Sequence, residues 1–307
     1  IAAGDIGFLS GVEEENTGAR ILLASIHMLK RRRAGARHLV VVDEAHRIMA
    51  TTYRKVLAQN PSAHVLGLTA TPWRLDGKAL GDVFKHLHVF AEAAELISEG
   101  FLANPTVFGV PEERAAKIVK GLRVAQGDFN LRDAERRAMR YLLGDVVEEC
   151  GRLAPRAQTI VFATTRKHGR ALTRRFWKAK RRTEYLDGDT PSDLREQILR
   201  RLETGKTEVV VNVDVLSEGF DCPPVKCIAL ARPTRSLTRY RQQCGRASRL
   251  WKRQRPVILD HCGNSWRLKM PFAPWPWSLL GRANVEAMGG DTVRRCVECE
   301  AIMDAHE

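Results

Sequence analysis

The chain has 307 residues, 44% of them hydrophobic and 28% charged, and no apolar run reaches the ~18 residues that cross a bilayer, so a membrane protein is excluded as the reading. Its length exceeds what one hydrophobic core usually fills, and two medium domains are expected. Fifty Lys and Arg against 36 Asp and Glu leave +14, which favours a polyanionic partner, nucleic acid first, over a neutral small molecule, although such charge can serve solubility alone.

In chain order, β-branched runs of strand length alternate with helix-patterned stretches, the pattern of an α/β fold whose parallel sheets are covered by helices. Strands are expected at 20–24 (RILLA), 38–42 (HLVVV) and 64–68 (HVLGL), each running into polar residues at the end where open α/β sheets bind ligands. The turn-rich 100–111 (GFLANPTVFGVP) reads as a crossing, with a domain boundary near Ala103, and a charged helix is expected over 130–150. A second strand series follows at 159–163, 183–186, 209–213, 227–231 and 256–260. Between its first two strands, 166–182 (RKHGRALTRRFWKAKRR) holds nine basic residues and no acidic one, with Leu172, Phe176 and Ala179 as a buried stripe. Its basic face either meets phosphates or is a solvated helix face, the plainer reading. Beyond Asn264 the periodicity decays into a stretch with three Trp and three Pro, expected as an irregular tail. The division is therefore 1–103, 104–265 and a tail at 266–307. Seven cysteines, odd in number and scattered, suit a reducing cytoplasm rather than a disulfide framework, and the opening Ile1-Ala2-Ala3-Gly4-Asp5 has neither an apolar leader nor an initiator Met, as if the start were missing.

The segment LVVVDEAH sets two carboxylates at the end of an apolar strand, a costly place for charge unless a cation is near. A metal-bound phosphate supplies one. Asp43 would hold Mg²⁺ through its water shell, Glu44 would orient and deprotonate an attacking water, and His46 would sit beside them as a coupler. The next expected strand ends in Thr69-Ala70-Thr71, whose hydroxyls can reach the Asp43–His46 turn, although Thr-Pro also simply ends strands.

Taken in order, DEAH, TAT, VVVNVDVLSEGFDCP and QQCGRASR resemble the second, third, fifth and sixth motifs of superfamily-2 helicases, across residues 21–260. ILLASIHMLKRR, AELISEGFLANP and LDHCGN look most like phage and bacterial DEAD/DEAH-type members related to excision-repair and restriction motors. The resemblance implies two RecA-like domains, the first incomplete, and ATP hydrolysis with Mg²⁺ coupled to movement along or unwinding of nucleic acid, DNA before RNA. It also implies roles. Arg246 and Arg249, preceded by Gln242, would be fingers on the γ-phosphate, and their spacing would put both on one side of a helix. Gly219 and Asp221 would face the nucleotide, while Asn212 and Ser217 lie nearer the nucleic-acid strand. Ser25 and His27, Thr71, and Thr164, Thr165 and Arg166 would stand on loops that track the backbone, contacts without a sequence code. Thr69 and Thr71 would couple the two activities.

The phosphate-cradling G-x-x-x-x-G-K-[ST] of such a motor does not occur in these residues, and the resemblance places it ahead of Ile1, before a truncated first domain. Two readings stand: part of an ATP-hydrolysing motor, or a shortened chain that binds nucleic acid or a partner without hydrolysis. Cys296-x-x-Cys299 is half of a zinc knuckle, with His306 as a third donor, or else two free thiols, the simpler reading. His261 and Cys262 read as core or loop residues, and Trp275 and Trp277 as packing rather than base stacking.

Overall fold

The computed structural model describes residues 2–11, 13–32, 35–74, 76, 79–217, 221–252, 255–281 and 293–305. Two compact units emerge, one of Ile1–Arg74, Lys78–His88 and Trp277–Val285, the other of Leu75–Gly77, Val89–Pro276 and Glu286–Glu307. Among the described residues no helix is long and apolar enough to cross a membrane.

The first unit contains β1 (Ile6–Leu9), β2 (Glu14–Glu15), β3 (Ile21–Ala24), α1 (Ile26–Arg31), β4 (Leu39–Asp43), α2 (Thr51–Leu57) and β5 (His64–Leu68). β1 runs parallel to β3 and antiparallel to β2, while β4 and β5 form a separate parallel pair. Ser25 caps α1 by accepting from the Met28 amide, which stops β3 and starts the helix. Its core gathers Val42, Ala45, Ile48 and Leu80, with Val40, Val65, Phe84 and Leu279 packed against them. Cover on both faces of the sheet was expected, and here only one face is covered. Side chains alternate along a strand, so in the β4–β5 pair Leu39, Val41, Leu66 and Leu68 fall on the other side and stand 47–55% exposed.

The second unit contains α3 (Ala93–Ser98), β6 (Thr106–Gly109), α4 (Glu112–Val119), β7 (Val124–Ala125), β8 (Asp128–Phe129), α5 (Leu131–Tyr141), α6 (Asp145–Leu153), β9 (Thr159–Ala163), α7 (Arg166–Lys178), β10 (Thr183–Leu186), α8 (Ser192–Glu203), β11 (Val209–Asn212), β12 (Cys227–Ala231), α9 (Leu237–Cys244), β13 (Val257–Asp260), α10 (Asn264–Leu268), β14 (Arg294–Arg295) and β15 (Ala301–Met303). Its sheet has the order β10-β11-β9-β12-β13-β6-β15-β14, parallel through β6 and antiparallel beyond it. Every residue of β9, β11, β12 and β13 is buried, as near-continuous apolar strands require.

Four sequence expectations need correction here. The 100–111 stretch is not merely a crossing, because Thr106–Gly109 between Pro105 and Pro111 pairs with β13. The single helix over 130–150 is two, since residues 142–144 break it: Asn130 caps α5 and Gly144, a poor helix former, opens α6. In α7 Leu172 and Phe176 are buried but Ala179 is exposed, because the helix ends at Lys178. The tail is not irregular throughout: its end forms the β14–β15 hairpin, and its middle packs into the first unit, where Trp73 Nε1 donates to the Ser278 carbonyl at 2.8 Å and the Leu80 and Gly81 amides donate to Leu279 at 3.1 Å.

Candidate nucleotide and nucleic-acid sites

In the first unit, β4 ends at Asp43 with its carboxylate exposed, not enclosed by apolar residues as the apolar strand suggested. The chain then turns sharply. Glu44 takes the left-handed conformation (φ +49°), a region costing a side-chain-bearing residue roughly 1 kcal/mol, and its amide donates to Asp43 Oδ1 at 2.8 Å. The turn drives Ala45 and His46 inward, to 1% and 2% exposure, while Glu44 stays at the surface. His46 Nδ1 lies 3.3 Å from Glu44 Oε2 and 3.4 Å from Thr69 Oγ1, so one imidazole joins the acidic turn to the end of β5. Thr69 Oγ1 in turn donates to the Thr71 carbonyl and accepts from the Thr71 amide, both at 3.1 Å. Close approach of β5 to this turn depends on Gly67, where a Cβ would lie 2.4 Å from Phe84 Cζ and 2.8 Å from Ala45 Cβ.

Several residues expected on the nucleic acid have other employment. Thr71 is 1% exposed, so its hydroxyl is not presented to solvent. Asn212 is fully buried, donating to the Val161 carbonyl and accepting from the Leu216 amide, which pins the loop after β11 instead of reaching outward. Thr164 is buried and donates to the Ala231 carbonyl. Thr165 caps α7 and bonds Glu135, and the exposed Arg166 pairs with Asp189 and Asp187. Ser25 spends its side chain as a helix cap, and His27 is exposed. Along the basic segment, Arg181 and Arg182 both engage Glu208.

The second unit brings the fifth and sixth motifs together. α9 ends at Cys244 with Gly245 as its cap, so Arg246 and Arg249 are not on a helix face, as their spacing suggested, but in the turn that follows. Arg246 Nη2 donates to the Ser217 carbonyl at 2.8 Å, and Arg249 Nε donates to Asp221 Oδ1 at 2.8 Å. Gly219 lies outside the described residues. Ser217 is buried, so it offers its carbonyl to Arg246 and not its side chain to a strand. Among the described residues, both polar atoms of the Gln242 side chain are buried without a hydrogen-bond partner.

A polar cluster that the motifs did not announce sits beside them. Asp214, also left-handed (φ +56°), is gripped by Arg232 and by Arg239 Nη1 at 2.6 Å. Burial opposes its ionisation, but the two guanidiniums more than offset this and hold its carboxyl below the usual range. The only signal in the sequence is an acid two residues past Asn212. LDHCGN has a structural reason: Asp260 Oδ2 accepts from the amide and hydroxyl of Ser265 at 2.7 and 2.8 Å, while Asn264 bridges the Thr234 amide and the Arg232 carbonyl. His261 and Cys262 are buried, and Trp277 packs edge-on against Trp73, with ring centroids 4.9 Å apart.

Among the described residues no three metal-ligating side chains are grouped; His306 lies outside them. Asp43 fits Mg²⁺ nonetheless, because that ion takes one or two carboxylates and fills its remaining positions with water and phosphate oxygens.

Comparison with known proteins agrees with this arrangement. Residues 139–250 match the helicase conserved C-terminal domain, and residues 3–74 match the res subunit of type III restriction enzymes. The chain is 27% identical to a 51.5 kDa protein of Lactococcus phage (isolate 7-9), over 86% of this chain and 58% of that protein. It is 33% identical to UvrABC system protein B of Chlorobium limicola, over 69% of this chain and 31% of that one. It thus spans less than two thirds of either. In structure it resembles a fragment described as an HsdR subunit of a type I restriction enzyme from Vibrio vulnificus YJ016, at 19% identity and a TM-score of 0.64, covering 88% of this chain and 56% of that one. The strand-end motifs, the two α/β units that carry them and these likenesses agree: the chain belongs to the superfamily-2 helicases related to restriction and repair motors.

Proposed function

We propose that this chain is the greater part of an ATP-driven motor that moves along or unwinds nucleic acid, DNA before RNA. The observation that carries the reading is the linked turn Asp43–Glu44–His46–Thr69, in which two accessible carboxylates stand at a strand end, Asp43 bonded by the Glu44 amide and Glu44 beside a buried imidazole. Asp43 would hold Mg²⁺, which supplies charge neutralisation to the phosphates. Glu44, surface-placed by its left-handed backbone, orients water and accepts its proton. His46 and Thr69 relay the state of that turn to the end of β5. In the second unit Arg246, Arg249 and Gln242 serve the phosphates. The Arg249–Asp221 pair is 44% and 62% exposed, and a pair of that kind is worth ~1 kcal/mol or less, so phosphate can displace Asp221 cheaply.

The uncovered apolar face of β4 and β5 supports a further layer over that pair, a place for a strand and helix bearing the phosphate loop. Burying its four half-exposed apolar side chains, Leu39, Val41, Leu66 and Leu68, would contribute on the order of 3–6 kcal/mol. Likeness to restriction-enzyme subunits supports DNA over RNA. The cytoplasm is the compartment that fits free, mostly buried cysteines. The test is DNA-stimulated ATP hydrolysis by the chain extended upstream through its phosphate loop. Glu44→Gln should lower turnover by ~10²–10⁴-fold while leaving DNA binding intact; an extended chain without stimulated hydrolysis rejects the motor and leaves the non-hydrolysing binder.

A further inference from the structure

The basic stretch at 166–182 divides in the fold. Its first half is spent on acids: Arg166 pairs with Asp187 and Asp189, Lys167 stands 3.9 Å from Glu135, and Arg170 stands 4.0 Å from Asp187. Its second half is spent differently. Arg174, Arg175, Lys178 and Lys180 are exposed and, among the described residues, have no carboxylate partner. Arg181 and Arg182 meet the buried Glu208, and Arg182 also donates to the carbonyls of Gly205 at 3.1 Å and Lys206 at 2.8 Å, which brings the turn before β11 alongside. Lys206, exposed and likewise without a carboxylate partner among the described residues, joins the group. Glu203, the last residue of α8, is an exposed acid at the same end of the sheet.

An indole stands among these cations. Trp177 is 57% exposed, and its Nε1 donates to the Thr183 carbonyl at 2.7 Å, so the ring is held against the start of β10 yet more than half open to solvent. Arg174 lies one turn before it on the same side of α7. Cations in a last helical turn offset the helix dipole and keep a surface soluble, but neither role asks for an exposed indole. The patch is also remote from the strand-end motifs. α7 starts beyond the carboxyl end of β9, and its 13 residues carry the chain about 20 Å back to the amino ends of β10 and β11. Ser217 and Asp221 follow the opposite, carboxyl end of β11.

From this placement we infer that the C-terminal end of α7, with Lys180 and Lys206, is a second binding surface for single-stranded nucleic acid. Phosphates meet Arg174, Arg175, Lys178, Lys180 and Lys206, and an unpaired base stacks on Trp177. A duplex keeps its base faces covered, and an acidic peptide offers charge without a planar base, so the exposed indole selects the single strand. The inference rests on the nucleic-acid reading of the chain and is independent of ATP hydrolysis.

The test is fluorescence anisotropy of a labelled oligodeoxythymidylate with the 307-residue chain across a range of salt concentrations. Trp177→Ala should weaken binding ~5–100-fold, and Trp177→Phe, which keeps a ring, should restore most of it. Arg174→Ala and Lys178→Ala together should lower the salt slope by about 1.4. Both positions are exposed, so this variant reads the surface even where Trp177→Ala misfolds. Lys117→Ala removes an exposed charge on α4 and should change neither affinity nor slope. A chain that binds the strand with affinity and slope unmoved by the α7 substitutions overturns the surface and leaves the nucleic-acid reading standing; a chain that binds no strand overturns both. Polyglutamate that competes as well as the oligonucleotide, with no effect of Trp177→Ala, assigns the patch to an acidic protein partner and also overturns the inference.

Discussion

Acidification should weaken the second unit through His168, on the first turn of α7. The imidazole is fully buried, and its Nδ1 accepts from the Thr164 amide at 3.3 Å, so the ring is neutral with its proton on Nε2. Protonation would set an N–H against an N–H in a fully buried site, and burial pushes the group down from 6.5 to about 4. The unfolded chain therefore binds a proton that the folded one refuses. The stability His168 contributes is complete above its unfolded value of 6.5 and is lost as pH falls from there toward 4. At pH 5 the loss works out at about 2 kcal/mol, against almost none at pH 7. The assay is urea unfolding of the 307-residue chain and of His168→Asn between pH 7.5 and 5, since Asn Oδ1 can take over the acceptor role of Nδ1. The wild-type protein should lose ~2 kcal/mol more than the variant. Parallel pH profiles would refute the reasoning.

His261, pushed down to about 3 by burial and by Arg114, should add a second acid-sensitive contribution over the same range, so His261→Gln should also flatten the profile. Gly67→Val should destabilise the first unit by ~1–3 kcal/mol, because its Cβ has no room beside Phe84 and Ala45; an unchanged thermal midpoint would contradict that packing. Asp214→Asn leaves Arg232 and Arg239 facing each other uncompensated. With Asp214 itself 45% exposed, the expected loss is ~1–2 kcal/mol, read by denaturant titration, and it should shrink in high salt. In the upstream-extended chain, Arg249→Ala should lower kcat for ATP hydrolysis while Asp221→Asn does not; equal losses would make Arg249 a structural partner of Asp221 only.

The β-sheet of the second unit was legible because its strands are apolar on both faces, and a run such as 159–163 has no competing helical reading within a few residues of turn signals. β6 was hidden between two prolines, and the β14–β15 hairpin was hidden by its brevity, since two- and three-residue strands have no period to detect. The acidic turn was legible as a motif, but Glu44's backbone conformation was not. Nothing in D-E-A-H says which side chain turns inward; that follows from Ala45 filling the space beside Gly67 and His46 reaching the end of β5 at Thr69.

Asn212 and the paired arginines mark the same division. The sequence alone determined which residue types stand at which strand ends, because apolar runs and polar punctuation follow directly from burial and backbone hydrogen bonding. Only the tertiary structure decided how each side chain is used. Asn212 turns inward because the neighbouring Val161 carbonyl and Leu216 amide need partners, and Arg249 rests on Asp221 because the chain after α9 turns toward the loop after β11. Hydrogen bonds between segments 28 and 51 residues apart are written in the fold, not in any local pattern.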